Sequence, residues 1–285
     1  MNRTFTPTAA ALPLLFALSA FGAEPALQTS CPATENNSQH STGITRLKIE
    51  FSPAAGDNVV RYYALDAQTL RQAQLWQAEQ KTPPSAGQFS DWLSYNGGKL
   101  DRADGPAGDA TYQDGTHIEQ WYRDGKLDRA EGPAVTETYP NGRRVEQWYR
   151  DGKQHRADGP AVTETYPDGR RIEQWYRDGK LDRADGPAVT ETYPDGSRIE
   201  QWYRDGKQHR AEGPAVTEIR QDGSPRYEAW YRDGKPHRAD GPAVTEIRQD
   251  GSRYEAWWRK GTFVKKENTA DLTKILGVTV LPPQP

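Results

Sequence analysis

Six tryptophans recur at one position of a repeated segment, and they are the side chains of this sequence best suited to binding. Successive copies stand 27 residues apart, with one interval of 28. Tryptophan, tyrosine and arginine dominate the hot spots of binding surfaces, and a flat indole ring also suits stacking on a sugar ring. We therefore predict a ligand-binding stripe formed by Trp121, Trp148, Trp175, Trp202, Trp230 and Trp257, flanked by Arg144, Arg171 and Arg198.

A second interpretation assigns the same tryptophans to the core of the protein. Only 34% of the residues are hydrophobic, whereas Trp (9) and Tyr (14) are common. A chain that is short of aliphatic residues has to bury aromatic ones instead. The sequence leaves open whether the tryptophans or the tyrosines and valines of each repeat are buried.

Recurring glutamates and histidines carry the other reactive groups of the repeat. A glycosidase pair needs one asymmetric pocket that sets two carboxyl pKa values apart, and identical copies in a row do not provide one. His155, His209 and His237 occupy one repeat position, so each repeat offers a single ligand and the three do not converge on one ion. We predict no catalytic residue, no metal site and no cofactor.

The sequence Gly-Pro-Ala occurs six times and marks the repeat that has to position these side chains. A fixed period of this length is typical of stacked supersecondary units that bury a shared core between neighbours. One interval is longer because Pro225 is inserted, and we expect this insertion to bulge one strand without shifting its neighbours. The glycines of the motif are Gly105, Gly132, Gly159, Gly186, Gly213 and Gly241.

Each copy is predicted to be a β-hairpin with an elaborated return loop. In one copy a run of β-forming residues leads into Pro140-Asn141-Gly142, which suits a type I turn with a glycine bulge. This loop pairs Tyr139 with Arg143, and alternation then separates a valine and tyrosine face from a face with threonines, Arg144 and Trp148. The other copies place the turn at Asp168-Gly169, Asp195-Gly196, Asp222-Gly223 and Asp250-Gly251.

These elements predict an all-β fold, an elongated single-layer array of tandem β-hairpin repeats with small terminal caps. Residues 92–262 hold the six repeats. The first repeat is degenerate, with Ser94-Tyr95 in the place that Trp121-Tyr122 takes in the next copy. Atypical terminal repeats are expected where an array has to be capped.

The caps are predicted on both sides of the array. Residues 44–91 are expected to form strands and one helix, which begins after Asp66 and is followed by a linker over residues 82–87. Residues 263–285 form a C-terminal cap or tail, in which Asn268 is expected to begin a short helix. Both caps would cover open edges of the sheet.

The first 22 residues have the pattern of a secretory signal peptide. An apolar run from Ala9 to Phe21 ends at a small-residue cleavage site. This run is too short to span a bilayer, and no later segment is apolar enough to do so. We predict export to the periplasm, the outer surface or the medium, followed by a disordered segment over residues 23–43.

The charge of the chain excludes one class of partner. The net charge is −3 and no basic block occurs, so the electrostatic footprint of a nucleic-acid-binding protein is missing. The mean hydropathy of −0.98 would suit a disordered chain, but the aromatic residues recur in register and favour a folded array.

The segment Asp250-Gly251-Ser252-Arg253-Tyr254-Glu255-Ala256-Trp257, preceded by Arg232-Asp233-Gly234-Lys235, resembles the MORN repeat. The likeness covers about residues 92–262, and similar bacterial repeats include YwqK-type antitoxin proteins. Ala256 and Gln147 stand where MORN repeats usually have glycine, and the return loop of this chain is longer. The resemblance implies successive β-hairpins; MORN-like proteins serve as scaffolds, membrane-associated modules and antitoxins, so it leaves the function open.

Repetition favours a binding function over catalysis. Many weak sites on one chain give avidity without any strong single site. We expect an exported, non-enzymatic protein that binds multivalently at the cell surface, as adhesins or haemagglutinins do, to a glycan or a protein on another cell. The alternatives are an antitoxin or immunity-type protein that binds one toxin, and a periplasmic scaffold. The sequence does not define the oligomeric state.

Overall fold

One antiparallel sheet of 16 strands dominates the computed structural model, which describes residues 43–269. The predicted signal peptide over residues 1–22, nearly all of the segment 23–43, and residues 270–285 lie outside the described residues. Sequential hairpins stand side by side in the sheet, so the strands of the main sheet follow one another in chain order. The predicted fold class, an elongated array of β-hairpin repeats, is confirmed.

The main sheet begins with β1 (Thr45–Phe51) and β2 (Asn58–Leu65), to which the short β3 (Lys99–Leu100) is added. Two helices, α1 (Ala67–Glu79) and α2 (Ala86–Tyr95), connect β2 to β3. The last strand is β26 (Thr262–Thr269). Between them lie six hairpins: β4 (Gly108–Thr111) with β5 (His117–Gln120), β8 (Val135–Thr138) with β9 (Arg144–Gln147), β12 (Val162–Thr165) with β13 (Arg171–Gln174), β16 (Val189–Thr192) with β17 (Arg198–Gln201), β20 (Val216–Ile219) with β21 (Pro225–Ala229), and β24 (Val244–Ile247) with β25 (Arg253–Arg259).

Five small two-stranded hairpins form separate sheets, one after each of the first five of these six hairpins. They are β6 (Tyr122–Arg123) with β7 (Lys126–Leu127), β10 (Tyr149–Arg150) with β11 (Lys153–Gln154), β14 (Tyr176–Arg177) with β15 (Lys180–Leu181), β18 (Tyr203–Arg204) with β19 (Lys207–Gln208), and β22 (Tyr231–Arg232) with β23 (Lys235–Pro236). A tight turn of aspartate and glycine closes each, with both residues at positive φ, as at Asp151 (49°) and Gly152 (77°).

The hairpin register predicted from the turn residues is confirmed. Strands β8 and β9 pair Val135 with Gln147 and continue in step to the turn. The Tyr139 N–H then donates to the Arg143 carbonyl at 2.9 Å, so three residues form the loop. Gly142 has a φ of +82°, the left-handed conformation that favours glycine at this bulge. The turn chemistry therefore fixes which side chains share a face.

Alternation gives the array two faces. The indole face carries Thr136, Thr138, Arg144, Glu146, Trp148 and their equivalents, and the tyrosine face carries Val135, Glu137, Tyr139, Arg143, Val145, Gln147 and their equivalents. Val135 and Val145 are 4% exposed, but Thr136 on the opposite face is only 8% exposed. Burial is thus divided between both faces of a single sheet.

The alanine of each Gly-Pro-Ala motif is the most completely buried residue of its repeat. Ala161 is 0% exposed, and its carbonyl accepts the Trp148 N–H at 2.7 Å. The return loop therefore ends by docking under the tryptophan backbone of the previous hairpin. The same 0% exposure is found at Ala107, Ala134, Ala161, Ala188, Ala215 and Ala243.

The inserted Pro225 produces the predicted bulge. Ile219 pairs with Pro225 while Glu218 pairs with Tyr227, so Arg226 is the extra residue on β21. On its other side β21 pairs with β24 in the ordinary register, with Ala229 opposite Val244. The irregularity stays within one hairpin.

The assignment of Ser94-Tyr95 to the aromatic pair of the first repeat is wrong. Tyr95 lies in α2 and is 86% exposed. Tyr62 of β2 occupies the tryptophan position, because its N–H donates to the Ala107 carbonyl at 2.8 Å, as the Trp121 N–H does to the Ala134 carbonyl. The first repeat is therefore discontinuous in the sequence, because α1 and α2 lie between Tyr62 and the rest of the repeat.

The two helices replace a two-residue turn. In the next copy β6 and β7 are joined by Asp124-Gly125, whereas in the first copy β2 and β3 make the matching pairs and residues 66–98 connect them. The predicted N-cap is confirmed, since the Asp66 side chain accepts the Thr69 N–H at 2.7 Å. The helices pack Ala73 and Leu93 onto this end of the sheet.

The prediction of one helix and a linker over residues 82–87 is wrong, because α2 begins inside that segment. The Gln88 N–H donates to Ser85 Oγ at 3.2 Å, and the Gln88 side chain accepts the Ser85 N–H at 2.8 Å. Such a capping box marks the start of a helix. The helix was not predicted because Pro83 and Pro84, directly before Ser85, are typical of a linker.

The prediction that Asn268 begins a helix is also wrong. Asn268 lies in β26 and pairs with Tyr254 of β25. After the turn at Lys260-Gly261 the chain runs back along β25 and forms the last strand of the sheet. The remainder of the predicted helix lies outside the described residues.

Candidate functional site: the indole face

Each tryptophan of the array carries a cationic side chain over one face of its ring. In five copies an arginine eight residues further along the chain supplies the cation, and in the last copy a lysine does so. The distances to the ring centroids are 3.8 Å (Arg129 to Trp121), 4.0 Å (Arg156 to Trp148), 3.9 Å (Arg183 to Trp175), 4.0 Å (Arg210 to Trp202), 4.2 Å (Arg238 to Trp230) and 4.2 Å (Lys265 to Trp257). These are close cation–π contacts.

The return loop holds the stacked arginine in place. Arg156 Nη1 donates to the Pro160 carbonyl at 3.4 Å, and Arg156 Nε donates to Asp158 at 3.2 Å. A Cβ atom on Gly159 would lie 2.7 Å from Arg156 Cζ, so a larger residue would force the guanidinium to shift from this position. The Gly-Pro-Ala motif thus supplies a gap, a carbonyl acceptor and a buried alanine in succession.

These stacking arginines were not among the residues predicted from the sequence, and Arg144, Arg171 and Arg198 were predicted in their place. These three were placed beside the indoles because they stand on the same strand. The signal was nonetheless present, since an arginine precedes every Gly-Pro-Ala glycine by three residues. Neither hairpin propensity nor turn chemistry predicts that the return loop folds back over the ring.

The tryptophans are neither fully exposed nor fully buried. All six are partly buried, and the cation covers one face of each ring. The indole Nε1 atoms of Trp175 and Trp202 are buried and have no hydrogen-bond partner among residues 43–269. The tryptophans are therefore only partly core residues, and the binding stripe stays a prediction.

The predicted arginines lie on the exposed part of the indole face. The side chains of Arg144, Arg171 and Arg198 are 47%, 48% and 42% exposed. Each pairs with the glutamate two residues further along its strand, as Arg144 does with Glu146 at 2.8 Å. Exposed pairs of this kind add little stability.

A shallow cavity of about 500 Å³ brings several of these groups together. Its floor is formed by Thr163 and Thr165, and the return loop over residues 156–160 forms one side. Arg171 and Trp175 line the same space. Residues of two neighbouring repeats thus contribute to one groove, and the structure unites the predicted Arg171 with the predicted Trp175.

Several polar side chains of the tyrosine face pair with one another, although Arg143 Nε is buried without a hydrogen-bond partner among residues 43–269. The Arg143 guanidinium lies 4.8 Å from the Tyr139 ring centroid and 5.5 Å from that of Tyr166, and it donates to Glu164 at 2.8 Å. Burial, together with the hydrogen bond from the hydroxyl to Glu137, raises the pKa of Tyr139 to about 12. This face links adjacent repeats and offers fewer free groups.

The recurrent histidines accept a backbone hydrogen bond from the next repeat. His155 Nδ1 accepts the N–H of Asp178 at 3.2 Å. In a neighbouring copy an aspartate takes the same place, and Asp128 accepts the N–H of Asp151 at 2.9 Å. The group at this position therefore holds the next Asp-Gly turn.

No protein-family model matches the sequence, and no curated protein is significantly similar to it. Among solved structures, the wild-type TCP10 domain of Danio rerio CPAP in complex with a STIL peptide is 15% identical, and the alignment covers 78% of this chain and 99% of that one with a TM-score of 0.24. The E1021V mutant of the same domain is 13% identical over 79% of this chain and 94% of that one, with a TM-score of 0.24. Within residues 43–269, neither helix has the length and apolar character that crossing a membrane requires.

Proposed function

We propose that this protein is an exported, non-enzymatic binding protein that attaches to glycans at a cell surface through repeated sites on its indole face. The carrying observation is the groove lined by Thr163, Thr165, Arg171 and Trp175. It combines exposed donors and acceptors with an aromatic edge, which are the groups that hold a sugar ring.

The charge of the face favours a neutral, hydroxyl-rich ligand. On the second strand of most hairpins an arginine and a glutamate two residues apart neutralise one another, as Arg171 and Glu173 do at 2.7 Å. A polyanionic ligand would need an excess of cationic side chains on this face, and an apolar ligand would need a larger apolar surface. Paired guanidinium and carboxylate groups instead offer donors and acceptors side by side to hydroxyl groups.

The spacing of the grooves favours an extended polysaccharide. Two strands at ~4.8 Å advance the sheet by about 10 Å per repeat. This advance is similar to the length of one disaccharide in an extended β-linked glycan, so successive grooves can hold successive disaccharides. Several weak contacts on one chain then give high avidity, as in an adhesin or haemagglutinin.

We also propose that the hairpins are a lengthened form of the MORN-like, YwqK-type repeat. The main hairpin corresponds to the family unit, and the return loop that covers each indole is the addition. This loop supplies the stacked arginine, and its residues 156–160 line the groove. The proposed binding site therefore lies in the part of the repeat that departs from the family unit.

The test is binding of the purified chain to insoluble chitin, cellulose and peptidoglycan, together with a glycan array. The triple variant Arg144→Ala, Arg171→Ala and Arg198→Ala removes Arg144 and Arg171 from this groove, together with the equivalent exposed arginine of the next repeat. We expect it to lose binding by roughly tenfold or more, because multivalent contacts weaken together, while its circular dichroism and melting temperature stay close to those of the parent.

The chain supplies a matched control. Arg143 and Arg170 immediately precede two of these arginines but lie on the tyrosine face. Substituting both with alanine should leave glycan binding intact wherever the protein remains folded. Binding of no glycan, or an equal loss in both variants, would overturn the proposal. Tight binding of one protein partner at a single repeat would instead support the antitoxin-type alternative.

A further inference from the structure

The first complete hairpin carries three potential metal ligands on the indole face. Asp109 of β4 lies directly opposite Glu119 of β5, and His117 stands two residues before Glu119 on the same strand. One ligand atom from each residue lies within 4.8 Å of the others. His117 Nε2 is 3.1 Å from Asp109 Oδ1. All three residues are partly buried and reachable from solvent.

This spacing suits one tetrahedral ion. Zn²⁺ binds histidine nitrogen and carboxylate oxygen at about 2.0–2.2 Å, so two of its ligand atoms lie about 3.4 Å apart. The histidine and aspartate atoms are already at that separation, and a glutamate side chain has enough rotatable bonds to close the remaining distance. Two residues at i and i+2 on one strand and a third on the adjacent strand converge because all point from one face.

The other copies of the repeat lack these ligands. Threonine replaces Asp109, as at Thr136 and Thr163, and arginine replaces His117, as at Arg144. In those copies the arginine neutralises the glutamate, as Arg144 does at 2.8 Å from Glu146.

The first hairpin has two carboxylates and no such cation. Within the described chain, the only ion-pair contact of Asp109 or Glu119 is with His117, which is charged only when protonated. Compared with the other copies, the first hairpin has His117 in place of an arginine and Asp109 in place of a threonine. It therefore has one cation fewer and one carboxylate more, and a bound divalent cation would compensate this negative charge.

We propose that Asp109, His117 and Glu119 bind one divalent transition-metal ion of the Zn²⁺ class at this end of the array. Mixed nitrogen and carboxylate ligands favour such ions over Ca²⁺ and Mg²⁺, which take oxygen ligands. The prediction of no metal site did not include His117, because the three histidines that it weighed were those that hold the Asp-Gly turns. The signal for this one is the paired change from threonine and arginine to aspartate and histidine.

The test is a calorimetric titration of the EDTA-treated full chain with ZnCl₂. We expect one site that Ca²⁺ does not compete for, and a rise in melting temperature with added Zn²⁺, since an ion that binds only the folded state stabilises it. The double variant Asp109→Thr and His117→Arg installs the residues of the neighbouring copies, so it should fold, and we expect its affinity for this site to fall by roughly tenfold or more.

A second variant separates this site from other histidines. His155→Asp introduces the residue that other copies have at that position and should leave Zn²⁺ binding unchanged. Absence of binding by the parent, or unchanged affinity and stoichiometry in the double variant, would overturn the proposal. Because no glycan is involved, the result is independent of the proposed function.

Discussion

Arg156 lies with its guanidinium 4.0 Å from the centroid of the Trp148 ring, eight residues earlier in the chain. The contact connects the return loop to the hairpin from which it emerges. A Cβ atom on Gly159 would lie 2.7 Å from Arg156 Cζ, so the guanidinium would have to shift. One local clamp of this kind recurs along the whole array.

Gly159→Ala tests the clamp directly. Gly159 is not at positive φ, so the only expected penalty is the 2.7 Å approach of the new methyl group to Arg156 Cζ. We expect a loss of about 1–3 kcal/mol in the free energy of unfolding, measured by urea denaturation followed by circular dichroism.

The double variant Arg156→Ala, Gly159→Ala provides the control. Once the guanidinium is absent, the added methyl group has nothing to displace, so its effect should be smaller than in the parent. If Gly159→Ala lowered the free energy of unfolding equally with and without Arg156, the glycine would be needed for a reason other than this contact.

His155→Asp should be tolerated, whereas His155→Leu should not. An aspartate oxygen can accept the Asp178 N–H as His155 Nδ1 does, and Asp128 already accepts the corresponding N–H in another copy. Leucine has no acceptor, so we expect a loss of about 0.5–1.5 kcal/mol for that variant and a change near zero for aspartate. Urea unfolding and hydrogen exchange at the Asp178 amide measure both, and equal destabilisation by the two would contradict the assignment.

Stability should fall at high pH through the tyrosine face. The pKa values of Tyr139 and Tyr193 are raised to about 12, first by burial and then by hydrogen bonds to glutamates. An unfolded tyrosine titrates near 10. The contribution of these groups is therefore complete below about pH 10 and is lost as the pH rises from 10 towards 12.

Melting temperatures between pH 9 and 12 check this expectation. Phenylalanine at both positions removes the ionisable hydroxyls, so the double variant should lose less stability over that interval than the parent does. The comparison is needed because lysines also titrate there. Parallel curves for the two proteins would show that other groups dominate.

Deleting Pro225 should leave the melting temperature within about 2 °C of the parent value. The deletion restores the sequence spacing of the next copy, where Ser252 is followed at once by Arg253, and it removes only the bulge on β21. Deleting Ser224 instead should lower the melting temperature, because its N–H and hydroxyl both bond Asp222, at 2.8 and 2.6 Å. A clear drop after loss of Pro225 would give the bulge a structural role.

Local signals were enough to predict the hairpins. The residue types of Pro140-Asn141-Gly142 allow one turn, that turn pairs Tyr139 with Arg143, and alternation then assigns every side chain of β8 and β9 to a face. Each step concerns residues close together in the chain, where steric limits on the backbone act directly. The bulge at Pro225 follows in the same way from counting one residue too many.

The features that the sequence did not reveal depend on contacts made in three dimensions. Tyr62 takes the tryptophan position of the first repeat although two helices separate it from its return loop, and the spacing of the motif gives no sign of that break. The metal ligands Asp109 and Glu119 meet only after their strands pair.

By itself the sequence therefore determined the period, the turns, the register and the two faces, because these follow from backbone geometry over a few residues. Only the tertiary structure decided which arginine covers each indole. Arg144 and Arg156 both lie near Trp148 in the chain, but only the path of the return loop over Gly159 brings one guanidinium onto the ring and leaves the other exposed. The reason is physical: side-chain packing depends on the space left by the folded backbone, and that space exists only after the return loop has folded back over its hairpin.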